Sequence, residues 1–161
     1  MVKVFLLLGG NMGDRLQMLQ RAKETLEKEV GSLLKASSVY ETAAWGKTDQ
    51  PSFYNQVLFM ETALSPQALL ETVLGVEQAL GRERLEKWGA RLIDIDILFY
   101  DNQQVDQEHL KIPHPFIQER RFTLEPLCEL DKDWVHPVFD KTLKTLLEEC
   151  QDTLPVMLVE G

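Results

Sequence analysis

A 161-residue chain whose apolar pattern runs strand, helix, strand, strand, helix, strand predicts an α+β fold. That order is the split βαβ, or ferredoxin-like, sandwich: an antiparallel sheet with two helices packed on one face. Three observations predict it. Residues 2 to 8 are a short apolar run closed by Gly9-Gly10-Asn11, two later stretches repeat apolar residues at helical spacing, and Ile93-Asp94-Ile95-Asp96-Ile97 alternates with a period of two. Extra C-terminal helices and strands are expected to follow this βαββαβ core, and the second face of the sheet is left for ligands. Residues 1–161 are expected to form a single domain, because 44% hydrophobic content at this length can bury a core without staples.

Each element has its own signal. After the first strand, Leu16, Leu19, Ala22, Leu26 and Val30 recur at helical spacing from Asp14 onward, and Gly31 stops the helix. Residues 33 to 41 and 53 to 63 read as two strands joined by a loop of small and polar residues. Ser65-Pro66 is a helix start, since serine caps and proline fits the first turn, and Leu69, Val73, Val76 and Leu80 form the buried stripe up to Gly81. The alternating Ile/Asp run is the fourth strand, ended by the turn Asp101-Asn102. A short helix near residues 116 to 124, a helix from Asp140 to Cys150 and an apolar segment from Leu154 to Val159 complete the chain.

The formal net charge of −9 argues against a sequence-independent grip on nucleic acid, which needs surplus Lys and Arg to displace counterions. Cys128 and Cys150 are the only cysteines and give neither a disulfide framework nor a zinc pattern. The run Val4 to Leu8 is too short for a signal-peptide core or a membrane span. A cytoplasmic protein without a membrane or nucleic-acid partner is expected, acting as a monomer.

The strongest chemical signal is the segment Lys87-Trp88-Gly89-Ala90-Arg91-Leu92-Ile93-Asp94-Ile95-Asp96-Ile97-Leu98. In a strand Asp94 and Asp96 project from the same face, roughly 6 to 7 Å apart along the backbone, while the isoleucines face the helices. Two hard carboxylates so spaced can hold a pair of Mg²⁺ ions over a triphosphate. Alternating Asp and Ile is also an ordinary solvated strand face. Arg82, Arg84, Lys87 and Arg91 just before the strand favour the functional reading, since in an acidic chain they make a local positive funnel toward the carboxylates.

Other nucleotide motifs fail. Gly46-Lys47-Thr48 lacks the glycine of a phosphate-binding loop five residues earlier, where Glu41 stands, and Gly9-Gly10-Asn11-Met12-Gly13 lacks dinucleotide spacing. Two further constellations remain. In Pro113-His114-Pro115 the prolines hold the histidine in place for a phosphate contact or a structural turn, with Arg120-Arg121-Phe122 following. In Tyr40-Glu41-Thr42-Ala43-Ala44-Trp45-Gly46, with Phe53 and Asn55, aromatic faces suit a flat heterocycle and an asparagine suits its polar edge, although core packing also explains the aromatics.

With these constellations in this order, the chain closely resembles the 6-hydroxymethyl-7,8-dihydropterin pyrophosphokinases of folate biosynthesis. The resemblance runs from Leu8-Gly9-Gly10-Asn11-Met12-Gly13-Asp14 through Tyr40-Glu41-Thr42, Gln50-Pro51-Ser52-Phe53-Tyr54-Asn55-Gln56-Val57 and Trp88 to Leu98, to Ile112-Pro113-His114-Pro115. It implies a ferredoxin-like fold and transfer of the β,γ-pyrophosphoryl unit of ATP to the hydroxymethyl oxygen, releasing AMP. Two Mg²⁺ ions are implied, held by Asp94 and Asp96, with Asp94 also near the substrate hydroxyl. Arg84 and Arg91 would be catalytic residues at the phosphates, and Arg91 and Trp88 would lie in a mobile loop over ATP. His114 and Arg120 would also contact phosphate, Ile97 would lie by the adenine, and Lys111 would stand on the ATP side. The pterin would lie between Phe53 and Phe122, its edge read by Thr42 and Asn55 with backbone groups of Ala43 and Trp45.

Several positions depart from the family pattern: Ala43 and Ala44 replace two prolines, Phe53 a frequent tyrosine, Ala90 a proline and Lys87 an arginine. His109 and Lys111 stand where Arg and Thr are common. Two other classes compete with this reading. Nucleotidyltransferases carry an acidic pair on a strand but normally a Gly-Ser turn shortly before it, and the only such pair here is Gly31-Ser32, far upstream. A non-catalytic ligand sensor is the third possibility, because this fold serves many roles.

Overall fold

The protein is described by a computed structural model over residues 1–43, 51–81 and 93–159. In chain order the elements are β1 (Val2–Gly10), α1 (Arg15–Glu29), β2 (Gly31–Ala36), β3 (Tyr40–Thr42), β4 (Phe53–Thr62), α2 (Pro66–Ala79) and β5 (Asp94–Tyr100). After these come the hairpin β6 (Val105–Gln107) and β7 (Leu110–Ile112), a 3-10 turn at Ile117–Glu119 and α3 (Arg121–Asp131). The chain then forms β8 (Val135–His136), β9 (Lys141–Thr142), α4 (Leu143–Glu149) and β10 (Met157–Leu158).

The termini of the two crossover helices follow from local chemistry. Asp14 Oδ1 accepts the Gln17 N–H at 3.1 Å and Ser65 Oγ accepts the Ala68 N–H at 3.2 Å, each satisfying an otherwise unpaired first-turn donor. Such caps contribute about 1 kcal/mol each. Gly31 follows α1 because a Cβ there would lie 2.0 Å from the Glu61 carbonyl oxygen on β4.

In the main sheet β1 lies between β4 and β5, β2 and β3 share the outer edge of β4, and β10 pairs with β3, all antiparallel. Each crossover therefore skips one strand. β4 fills the gap left by β1-α1-β2, and β1 fills the gap left by β4-α2-β5, the expected split βαβ arrangement. Alternation sorts the side chains. Val4, Leu6 and Leu8 of β1 pack with Leu58, Met60, Ile95 and Ile97 beneath α1 and α2, while Phe5 and Leu7 pack with Val57, Leu98 and Phe99 on the other face. Fully burying each large aliphatic side chain stabilises the fold by about 1.5–3 kcal/mol.

Three elements differ from expectation. The second sheet face, expected to be left for ligands, is covered over much of its area by α3 and α4 through Leu124, Leu127, Leu130, Leu143 and Leu146. The strand expected over 33 to 41 divides into β2 and β3. Between them the chain makes one more step, from Ala36 to Tyr40, than β4 makes from Leu58 to Asn55. There the Ser37 hydroxyl accepts the Val57 N–H at 2.9 Å, standing in for a backbone carbonyl. The helix expected near 116 to 124 is a 3-10 turn followed by α3, which continues through Pro126 to Asp131. Although proline removes one backbone donor, burial of Leu124, Leu127 and Leu130 outweighs that loss. Among the described residues no helix is long and apolar enough to cross a membrane.

Candidate active site

The uncovered part of the second face opens beside the N-terminal end of β5, and its floor is set by strand register. Asp94 pairs with Gly9 and Gly9 with Asn55, while in the next row Asp96 pairs with Leu7. Side chains at paired positions share a face. Asp94, Asn55 and Asp96 therefore all project into one cavity of about 820 Å³, where Gly9 leaves open floor between the first two. That volume suits a small organic ligand. Thr42 pairs with Phe53 at the β3 side, and both line the same cavity with Ala43.

The polar groups at the floor are held by specific contacts. The Thr42 hydroxyl donates to Asn55 Oδ1 at 3.3 Å, which fixes the amide so that its Nδ2 passes over Gly9 toward the Leu8 carbonyl oxygen at 3.5 Å. A Cβ at position 9 would lie 2.4 Å from that Nδ2, so only glycine admits this orientation. The entry to β4 is anchored from the turn after β1. Asn11, fully buried, donates to the Pro51 carbonyl oxygen at 3.2 Å, and Arg15 donates to the Ser52 carbonyl oxygen at 2.8 Å. Ser52 in turn donates a short hydrogen bond to Glu41. Phe53 is thus presented from a fixed backbone.

The opposite wall comes from the chain after β7. The His114 N–H donates to the Leu98 carbonyl oxygen at 3.0 Å, which sets the histidine beside β5, with Nε2 4.0 Å from Asp96 Oδ2. Its Nδ1 accepts the Phe116 N–H at 3.2 Å, so the neutral ring carries its proton on Nε2. Burial, with the Arg120 charge adding to it, pushes the His114 pKa down to about 4. At neutral pH the contact with Asp96 is therefore no ion pair, and Nε2–H is a donor for an anion. The Arg120 guanidinium lies 5.0 Å from the Phe116 ring centre and 5.7 Å from that of Phe122, at the cavity wall. These rings hold the cation broadside.

Of the residues singled out in sequence, Thr42, Ala43, Phe53, Asn55, Asp94, Asp96, Arg120 and Phe122 meet at this cavity, with His114 beside Asp96. Ile97 turns its side chain into the core beneath α1 and α2. What it can offer a ligand is its backbone, on the outer edge of β5. Lys111 lies outside the cavity lining, its side chain exposed on β7 between buried Leu110 and Ile112, where it pairs with Asp106 at 2.5 Å. Trp45, Arg84, Trp88 and Arg91 lie outside the described residues.

Two features were not read from sequence. Glu77, buried on α2, accepts the Ile95 N–H through Oε2 at 2.6 Å and so ties the strand carrying Asp94 and Asp96 to the helix beneath. Its signal was present: Glu77 falls four residues after Val73, on the apolar stripe, where a charge needs a buried partner. The segment after α4 supplies Gln151, Asp152 and Leu154 to the cavity wall, and no local pattern marks it. The hard carboxylate oxygens of Asp94 and Asp96, half-buried at one cavity edge, suit Mg²⁺ in kind and exposure.

The family model for 7,8-dihydro-6-hydroxymethylpterin-pyrophosphokinase (HPPK) matches residues 5–132. The 2-amino-4-hydroxy-6-hydroxymethyldihydropteridine pyrophosphokinase of Aquifex aeolicus is 44% identical over 149 residues, which cover 92% of each chain. That of Methylorubrum extorquens is 46% identical over 136 residues, 84% of this chain and 86% of the relative. Among solved structures, a Plasmodium falciparum HPPK-DHPS triple mutant superposes with a TM-score of 0.77 at 17% identity. There the match covers 92% of this chain and 43% of that one, a likeness of fold. With most of its length matched by the family model and close relatives aligned nearly end to end, the chain belongs to the 7,8-dihydro-6-hydroxymethylpterin-pyrophosphokinase family.

Proposed function

We infer that this protein transfers the pyrophosphoryl group of ATP to the hydroxymethyl oxygen of 6-hydroxymethyl-7,8-dihydropterin, giving the pterin diphosphate and AMP in folate biosynthesis. The observation that carries this reading is the row Asp94–Gly9–Asn55 across three strands, which sets an acidic edge beside a polar, aromatic-flanked slot in one cavity.

On this reading the pterin ring lies between Phe53 and Phe122. Asn55, held by Thr42, presents its amide to the pterin edge beside backbone groups of Ala43 and Trp45. Asp94 and Asp96 hold magnesium, taken as two ions, which when bound neutralises and aligns the phosphate chain. Arg120 and the Nε2–H of His114 take up phosphate oxygens, joined from the sequence pattern by Arg84 and Arg91, with Trp88, Lys111 and the Ile97 backbone on the nucleotide side. No protein nucleophile is required, since transfer of this kind depends on positioning and charge. Asp94, next to the hydroxymethyl group, accepts a hydrogen bond from its hydroxyl, which leaves a lone pair of that oxygen free to attack. Residues 1–161 act as one domain, a reading supported by cavity walls drawn from β1 through the segment after α4.

The test is a product assay with ATP, magnesium and the dihydropterin alcohol. AMP in step with pterin diphosphate is expected. ADP as sole product, or pyrophosphate release with nucleotide left on the acceptor, would replace this reading with a phosphotransferase or a nucleotidyltransferase.

A further inference from the structure

The segment that follows α4 lies beyond the residues matched by the family model, yet Asp152 faces the same cavity as Arg120 and Phe122. α3 begins without a cap of its own, since Arg120 at the capping position makes no side-chain hydrogen bond to the first turn. The Arg121 N–H, an orphan donor of that turn, donates instead to Asp152 Oδ2 at 3.0 Å, from 31 residues away in sequence. Arg121 Nε also donates to the Asp152 carbonyl oxygen at 3.1 Å. The other carboxylate oxygen, Oδ1, accepts the Leu154 N–H at 3.0 Å, so Asp152 is itself held in place. An acceptor at this point satisfies the helix terminus, and its negative charge complements the helix dipole.

Arg121 stands between Arg120 and Phe122, so the clamp acts on the backbone that carries both. The far end of α3 is fastened separately. There Glu129 accepts the Ser38 N–H at 2.9 Å and the Tyr40 hydroxyl at 2.6 Å. Loss of Asp152 therefore frees the first turn of α3 while the helix stays docked.

Resting on the cavity reading given above, we propose that Asp152 is a positioning residue for both substrates: by capping α3 from the C-terminal segment it holds Phe122 against the pterin and Arg120 at the phosphates. The cap is a hydrogen-bond acceptor first, so asparagine serves where alanine does not.

The experiment measures pterin affinity by calorimetry with magnesium and a non-hydrolysable ATP analogue present, and separately kcat and the KM for ATP, in wild type, Asp152→Ala, Asp152→Asn and Phe122→Ala. Asp152→Ala is expected to weaken pterin binding and raise the KM for ATP about tenfold each, with kcat at saturation within threefold of wild type. Asp152→Asn is expected to stay within threefold throughout, and the Arg121 amide to exchange faster with solvent in Asp152→Ala alone. Pterin affinity within twofold of wild type in Asp152→Ala, or an Asn variant as weak as the Ala variant, overturns the proposal while the cavity reading stands, provided Phe122→Ala weakens binding. If Phe122→Ala also binds normally, the cavity reading falls with it.

Discussion

Glu77 Oε2 accepts the backbone N–H of Ile95 at 2.6 Å, so a buried helix residue grips the strand at the point between its two acids. Glu77→Ala removes that acceptor. It is expected to cost about 1–3 kcal/mol of stability, the usual penalty for a buried donor losing its partner. It is also expected to raise the magnesium concentration needed for half-maximal turnover, because Asp94 and Asp96 lose a fixed backbone. Glu77→Gln keeps an acceptor oxygen and should fall between the two. Thermal melts and a magnesium titration check this, and a wild-type metal dependence in the alanine variant would refute it.

Asp96→Asn retains shape and removes a charge at a half-exposed position. Turnover is expected to fall by about 10²–10³, the range for loss of one preorganised electrostatic contact, while the melting temperature stays close to wild type. The readout is AMP formation beside a melt. Near-normal activity would remove Asp96 from the metal-holding role.

Gly9→Ala places a methyl group where Asn55 Nδ2 now lies, 2.4 Å from it. The asparagine must turn away and give up its Thr42 hydrogen bond. The KM for the pterin is expected to rise about tenfold, equivalent to about 1.4 kcal/mol, with the KM for ATP little changed. An unchanged pterin KM would show that Asn55 does not read the ring.

Stability should fall on mild acidification. His136 is buried among Phe99 and Phe139, and burial pushes its pKa down to about 4; that of His114 is pushed down to a similar value. Both rings are neutral in the fold but protonate below about pH 6.5 once unfolded. The unfolded chain then binds more protons, so stability is lost as pH falls from about 6.5 toward 4, with up to about 1.4 kcal/mol per pH unit for each ring. His136 Nδ1 accepts the Val138 N–H, a bond an asparagine oxygen can replace. Melts at pH 7 and pH 5 are expected to show His136→Asn with roughly half the wild-type loss. An identical loss in the variant would exclude His136 as a source.

Periodicity made the core topology legible. The first half of β5, Asp94 to Ile97, could be read because its two chemical demands, apolar toward the helices and acidic toward the cavity, coincide with the two-residue period of a strand, whereas the extra residue at Leu98 breaks that period unannounced. The split at Ser37 could not be read, since a hydroxyl replacing a backbone carbonyl leaves no trace in apolar spacing. α3 runs past the expected 116 to 124 because burial of Leu127 and Leu130 outweighs the backbone donor that Pro126 removes. Of the cavity, motif spacing marked the floor and one wall. Asp152 escaped because its partner, the Arg121 N–H, is a backbone group far away in sequence.

The bulge in β5 opposite Phe5 and Leu6 lets one strand satisfy two incompatible alternations. Leu98 and Phe99 are neighbours, yet both enter the core beneath α3 and α4, whereas Ile97 and Tyr100 join the opposite core. Leu98 is the extra residue: without it the pairs Leu6–Ile97 and Phe5–Phe99 would follow one another in regular alternation, with Phe99 still in its aromatic cluster and Asp94 and Asp96 still facing the cavity. The bulge thus adds one buried side chain to the core beneath α3 and α4, and a deletion at Leu98 should empty that place while leaving the acidic edge where it is.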